Sequence, residues 1–192
     1  AAEIKPGTAE GVRVRLTGTA PLAEEELTST VKGMGYAAML SLVLVVGLLF
    51  WGLKSPRMAL ATITTLLIGL VLTAAFATAA VGELNLISVA FAVLFIGLSV
   101  DFGIHFALRY GEGRTQGSSH AVALAEAAEG TGGALVLCAV AAAIGFLSFV
   151  PTDYVGLAEL GLISAGGMFI ALVVNLTVLP AVLSVLQPRL RV

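Results

Sequence analysis

Long apolar runs separated by short polar interruptions dominate the chain from about residue 33 onward. Five such runs fall at roughly 33–53, 58–80, 86–108, 131–150 and 157–186. A helix needs about 20 apolar residues to cross ~30 Å of hydrocarbon, and each run is close to that length or longer, so five membrane-spanning helices are expected. The interruptions read KSPR, VGELN, a longer polar stretch from Arg109 to Gly130, and PTDYVG. Within the longest, Ser118 or Ser119 can cap a short helix that Gly130 ends, giving an interfacial helix near 118–129 that feeds the fourth span. His120 reads as a solvated residue of that helix.

Residues 1–32 follow a different pattern. GVRVRLTG alternates Val12, Val14 and Leu16 against Arg13, Arg15 and Thr17, the period of a half-buried strand. PLAEEELTST then reads as a helix start, with Pro21 early and Glu24, Glu25 and Glu26 near the positive end of the helix dipole. One strand and one helix cannot enclose a core, so this part is expected to be the end of a larger extramembrane domain. The opening AAEIKPGTAEG carries no initiator Met and no basic leader, and reads as the middle of a longer protein.

Composition agrees with the pattern. The chain is 58% hydrophobic and 11% charged, with a mean hydropathy of +1.04; a soluble domain carries roughly 25% charged residues. The net charge of -2 matters less than its distribution. Lys54, Arg57, Arg109, Arg114, Arg189 and Arg191 follow the first, third and fifth runs, whereas the loops around Glu83 and Asp153 hold no Lys or Arg. By the positive-inside rule the N-terminal part is outside and the C-terminus cytoplasmic, with Trp51 at an interfacial position. A lone cysteine, Cys138, excludes a disulfide or a cysteine metal cluster within the chain.

Against that background GLSVDFGIHF, residues 97–106, stands out, because it places Asp101 and His105 in an apolar run. Asp101 lies eight residues before Arg109, about 12 Å inside the end of its span. An Asp at a helix centre costs roughly 2.5 to 3.5 kcal/mol on insertion scales, and ionisable groups kept there normally face a bundle interior or a water-filled cavity. His105 follows at i+4 on the same face, and Gly97, one turn earlier, lets another helix approach. The face formed by Leu94, Gly97, Asp101, Ile104, His105 and Leu108 is therefore expected inside the bundle. A desolvated carboxylate that meets water intermittently can load and release a proton, so Asp101, with His105, is a candidate proton relay. The competing reading makes Asp101 a protonated hydrogen-bond donor that glues helices together, and His105 a neutral residue bonded to a carbonyl.

Other polar positions suggest less. Asn85 is placed to cap the third span, and Asn175 either bonds between helices or lines a polar path. Thr62, Thr64, Thr65, Thr73 and Thr78 are expected to bond back to their own helix. Gly161, Gly166 and Gly167 permit close packing, and Pro180 interrupts the last span. Enzymatic readings fail on placement. A second mid-membrane carboxylate is missing, Glu159 lies at the wrong depth, and Ser99 points about 200° away from Asp101. No phosphate-binding loop, cofactor motif, metal-ligand set or nucleic-acid-binding pattern occurs, so any work done would draw on an ion gradient.

GLSVDFGIHF resembles the fourth transmembrane helix of the resistance-nodulation-division (RND) superfamily, in the branch of mycobacterial large membrane proteins and patched-like lipid transporters. Gly97 and Asp101 match its GxxxD element. EAAEGTGGALVLCAVAAAIGFLSF is similar to that branch's loop and fifth helix, and LAELGLISAGGMFIALVVNLTVLPAVL to its sixth. VRLTGTAPLAEEEL resembles the end of a periplasmic domain, most like that of bacterial hopanoid-associated transporters. The resemblance implies an all-α membrane fold. Residues 1–32 would close a periplasmic porter domain, and residues 33–192 would be helices two to six of one repeat. It further implies lipid export from a bacterial inner membrane driven by protons, with Asp101 at the relay position. The second repeat would supply relay partners, the transporter would be a homo-oligomer, and no organic cofactor is implied. The same helices correspond to the sterol-sensing domain of eukaryotic relatives, so a lipid-binding regulatory module without transport is the alternative. Val100-Asp101-Phe102 lacks the adjacent acids of drug-efflux members, and Phe102 lacks the tyrosine hydroxyl that mycobacterial lipid exporters favour after the Asp. His105 is the residue positioned to substitute as relay partner.

Overall fold

A computed structural model describes residues 19–53, 55–82 and 90–188. Five α-helices account for nearly all of them: α1 (Thr19–Gly52), α2 (Pro56–Val81), α3 (Phe91–Thr115), α4 (His120–Leu147) and α5 (Val155–Leu186). All five contain windows long and apolar enough to cross a membrane. The expected all-α membrane architecture is therefore observed. The strand expected at GVRVRLTG and the cap expected from Asn85 lie outside the described residues.

The helix read at PLAEEELTST begins at Thr19 and runs into the first span as one 34-residue element. One boundary differs from expectation. The polar stretch from Arg109 to Gly130 is not a loop carrying a separate interfacial helix; α3 continues to Thr115 and α4 is a single helix from His120. The stop signal is Gly117 rather than Gly130. Gly117 has φ +92, its N–H donates to the Arg114 carbonyl at 3.3 Å, and the Ser118 N–H donates to the Gly113 carbonyl at 3.0 Å. That pair of bonds closes a helix through a left-handed residue, which glycine adopts without a Cβ penalty. Ser119 then starts α4, its hydroxyl accepting from the Val122 N–H. Gly130 serves packing instead, because a Cβ there would lie 3.1 Å from Nε of Arg109.

α5 forms the spine, packing on α2, α3 and α4, while α1 rests on α2 and α3 alone among the stronger helix pairings. Only 6% of the residues in the apolar window of α1 are buried, against 50% in α3, which makes α1 the peripheral helix. The core is built largely from small residues, including Ala59, Ala61, Ala107, Ala123, Ala127, Ala139 and Ala171. Helices in lipid gain little from the hydrophobic effect against one another, so close approach of backbones over small side chains takes its place. The expected role of three glycines in α5 is borne out. A Cβ at Gly161 would meet the Phe146 carbonyl oxygen at 2.5 Å, one at Gly167 would meet Thr73 at 2.9 Å, and one at Gly166 would overlap Phe76. Arg57, Arg109 and Arg114 sit at the end where α2 and α4 begin and α3 and α5 finish, and Asp153 and Glu159 at the other.

Candidate functional site

Among the described residues, α3 contributes to three sets of polar or ionisable side chains, two packed in the bundle and one exposed. The first lies at the bundle's centre. Asn175 of α5 is buried, with Nδ2 donating to the Ala171 carbonyl at 2.9 Å and across to the Ser99 carbonyl of α3 at 3.3 Å, 3.5 Å from Ser99 Oγ. Gly103, one turn after Ser99, leaves room for this seam: a Cβ there would lie 2.6 Å from Thr62 of α2 and 3.1 Å from Asn175 Oδ1. Asn175 thus bonds between helices. The threonines of α2 behave as expected, each hydroxyl donating to a carbonyl three or four residues earlier.

A second set lies at the basic end and corrects the reading of His120. Its imidazole is half-buried rather than solvated, and it joins three helices. Nδ1 lies 2.9 Å from the Tyr110 hydroxyl of α3, and Nε2 lies 3.4 Å from Ser184 Oγ of α5. Ser184 donates its own hydrogen to the Pro180 carbonyl at 2.9 Å. The pattern assigns the hydrogens in sequence: Nε2–H donates to Ser184, and the Tyr110 O–H donates to a neutral Nδ1. Tyr110 is completely buried, and its ring meets the imidazole edge-on with centroids 5.6 Å apart. Sequence reasoning missed this site because Tyr110 and His120 flank a polar turn. Their i+10 spacing marks a contact only once Gly117 is known to reverse the chain.

Asp101, His105 and Gly97 form the third set. They do share one face of α3, with Leu94 and Leu108, but that face is exposed, not inside this bundle as expected. α2, α4 and α5 pack on the opposite side of α3, where Phe95, Ser99, Phe102, Gly103, Phe106 and Tyr110 are all buried. A Cβ at Gly97 would meet nothing within 4 Å. Among the described residues, no hydrogen bond or ion pair reaches Asp101 or His105. Asp101 is the eleventh residue of α3, roughly 15 Å along its axis and near mid-span. Asn175 lies on the far side of α3 from it, so the structure does not bring these two together. Beside the exposed face, Leu48, Leu49, Gly52 and Leu53 of α1 and Ile104 and Leu108 of α3 line an apolar groove of about 220 Å³. No group of three or more metal-ligating side chains occurs among the described residues.

A bundle of five membrane-length apolar helices, with an ionisable face of α3 exposed among the described residues, defines the class: a multi-pass membrane protein. The sequence matches the MMPL family over residues 1–191, and the chain belongs to that family. It is 46% identical over 178 residues to the hopanoid transporter HpnN of Burkholderia multivorans, covering 93% of this chain and 20% of that protein. HpnN of Rhodopseudomonas palustris is likewise 46% identical, over 179 residues, with the same coverage. A putative membrane protein of Methanocaldococcus jannaschii, MJ1562, is 28% identical over 175 residues, covering 90% of this chain and 45% of that protein. The chain thus spans about a fifth of the length of the HpnN relatives.

Proposed function

We propose that this chain is the five-helix part of one repeat in a proton-driven RND lipid transporter, with hopanoid-like or other apolar lipids as cargo. Export runs from the inner membrane toward the periplasm or outer membrane, and the chain has no catalytic role of its own. The observation that carries the reading is the uncovered ionisable face of α3. A carboxylate at mid-span cannot face hydrocarbon stably, so Asp101 requires cover from helices outside these five. The second repeat of the same protein supplies that cover, and the Gly97 notch admits its backbone. At the resulting seam Asp101 carries the transported proton, with His105 one turn away as its partner. Each cycle moves a proton inward and biases the repeats between two arrangements. The hopanoid cargo rests on the similarity to the two HpnN proteins. The arginines at one end of the bundle support a cytoplasmic position for that end and a periplasmic one for the start of α1.

Asp101→Asn in the full-length protein tests the reading, scored as lipid delivery to the outer membrane at matched protein abundance. Asn keeps hydrogen-bonding capacity but cannot cycle a proton, so delivery should fall to background while the protein remains folded. Undiminished delivery would make Asp101 structural and move the lipid-sensing alternative ahead.

A further inference from the structure

The basic end of the bundle carries a feature that the relay does not use. Between α2 and α5 a groove of about 350 Å³ opens toward the lipid, lined by Leu60, Thr64, Ala181, Val182, Val185 and Leu186. Its walls are apolar except for Thr64, whose hydroxyl is already bonded to the Leu60 carbonyl at 2.9 Å. Arg57 lies on α2 about one turn before Leu60, the first lining residue of that helix. Its Nη1 donates to the carbonyl of Gln187 at 3.3 Å, the residue immediately after the groove wall on α5. A guanidinium has five N–H donors, and this bond uses one.

We propose that this groove is a binding site for an anionic glycerophospholipid, with an acyl chain along α2 and α5 and the headgroup phosphate on Arg57. Charge argues for that occupant. Among the described residues no carboxylate pairs with Arg57, whereas Arg109 at the same end is paired with Glu112 at 2.9 Å. In sequence, Lys54 precedes Arg57 by three residues, Arg189 and Arg191 follow Gln187 within four, and neither segment contains an acid. An arginine offers a planar donor fork that fits phosphate, and basic pockets between helices at the membrane surface select anionic headgroups. The bond to the Gln187 carbonyl ties the guanidinium to the residue that follows Leu186 of the groove wall, so less side-chain freedom is lost on binding. The site concerns one end of the bundle and does not depend on which side of the membrane that end faces, nor on a proton relay.

The test is native mass spectrometry of the full-length protein released from nanodiscs of equimolar phosphatidylglycerol and phosphatidylcholine. The wild type should retain phosphatidylglycerol in preference. Arg57→Gln should reduce that preference roughly fivefold, the effect of one basic side chain beside an anionic headgroup. Arg109→Gln removes a charge at the same end but away from the groove, and should leave the preference intact. Ala181→Phe, at an exposed position, fills the groove and should lower retention with Arg57 still present. Equal retention of the two lipids by the wild type would overturn the proposal. So would equal effects of Arg57→Gln and Arg109→Gln, which would mean diffuse surface attraction, or full retention in Ala181→Phe.

Discussion

On its inner face α3 presents Ser99, Gly103 and Tyr110 to α2, α4 and α5; on its outer face Gly97, Asp101 and His105 are exposed among the described residues. Inside, small and polar groups are matched: Asn175 donates to the Ser99 carbonyl, and Tyr110 is bonded to His120. Outside, a carboxylate and an imidazole have no partner among the described residues. The same helix therefore has one face packed within the bundle and one left exposed among the described residues, the face that the proposed function assigns to the second repeat. Polarity in a membrane helix marks an interface, but not which neighbour completes it.

Substitutions on the two faces should separate those roles in thermal unfolding of the full-length protein. Gly103→Val should have the largest effect, because its Cβ would press on Thr62 and Asn175; overpacking of this kind costs about 1–3 kcal/mol. An unchanged melting temperature would mean that α3 and α5 are less tightly joined than described. Asn175→Leu removes the cross-helix donor and should cost about 1 kcal/mol, within the range for interhelical hydrogen bonds in membranes. Tyr110→Phe deletes the hydroxyl that is bonded to His120 and lies beside Arg114, and should cost about 0.6 kcal/mol, the average for interhelical hydrogen bonds in membranes. A larger loss would show that the histidine contact organises the whole basic end. Asp101→Asn should change stability least of the four while abolishing delivery. Equal losses of stability and delivery would merge the two faces into one structural role.

The spans were readable because hydropathy over twenty residues is a statement about solvent, and solvent acts on each helix separately. The threonine back-bonds and the packing glycines of α5 were readable for a similar reason, since they depend on spacing along one helix. The orientation of α3 was not. Its apolar residues surround the axis, so no stripe distinguishes core from lipid, and the inference from Asp101 to the interior assumed that the interior belonged to this chain. Gly130 misled because glycine serves both helix ends and close packing, and only the Arg109 side chain beside it decides between them. His120 was hidden by the polar composition of its surroundings, which reads as solvent exposure until the turn at Gly117 folds it onto Tyr110.

The length of α1 has a mechanical consequence. Its 34 residues span about 51 Å, well beyond a ~30 Å hydrocarbon layer. Its apolar window begins only at Gly35, so Thr19 to Met34 continues as an unbroken rod of about 24 Å. A rod conveys twist as well as tilt. Whatever is attached ahead of Thr19 is therefore geared to the peripheral helix of the bundle, and a single residue inserted in this shaft would turn it by about 100° without breaking a contact in the core.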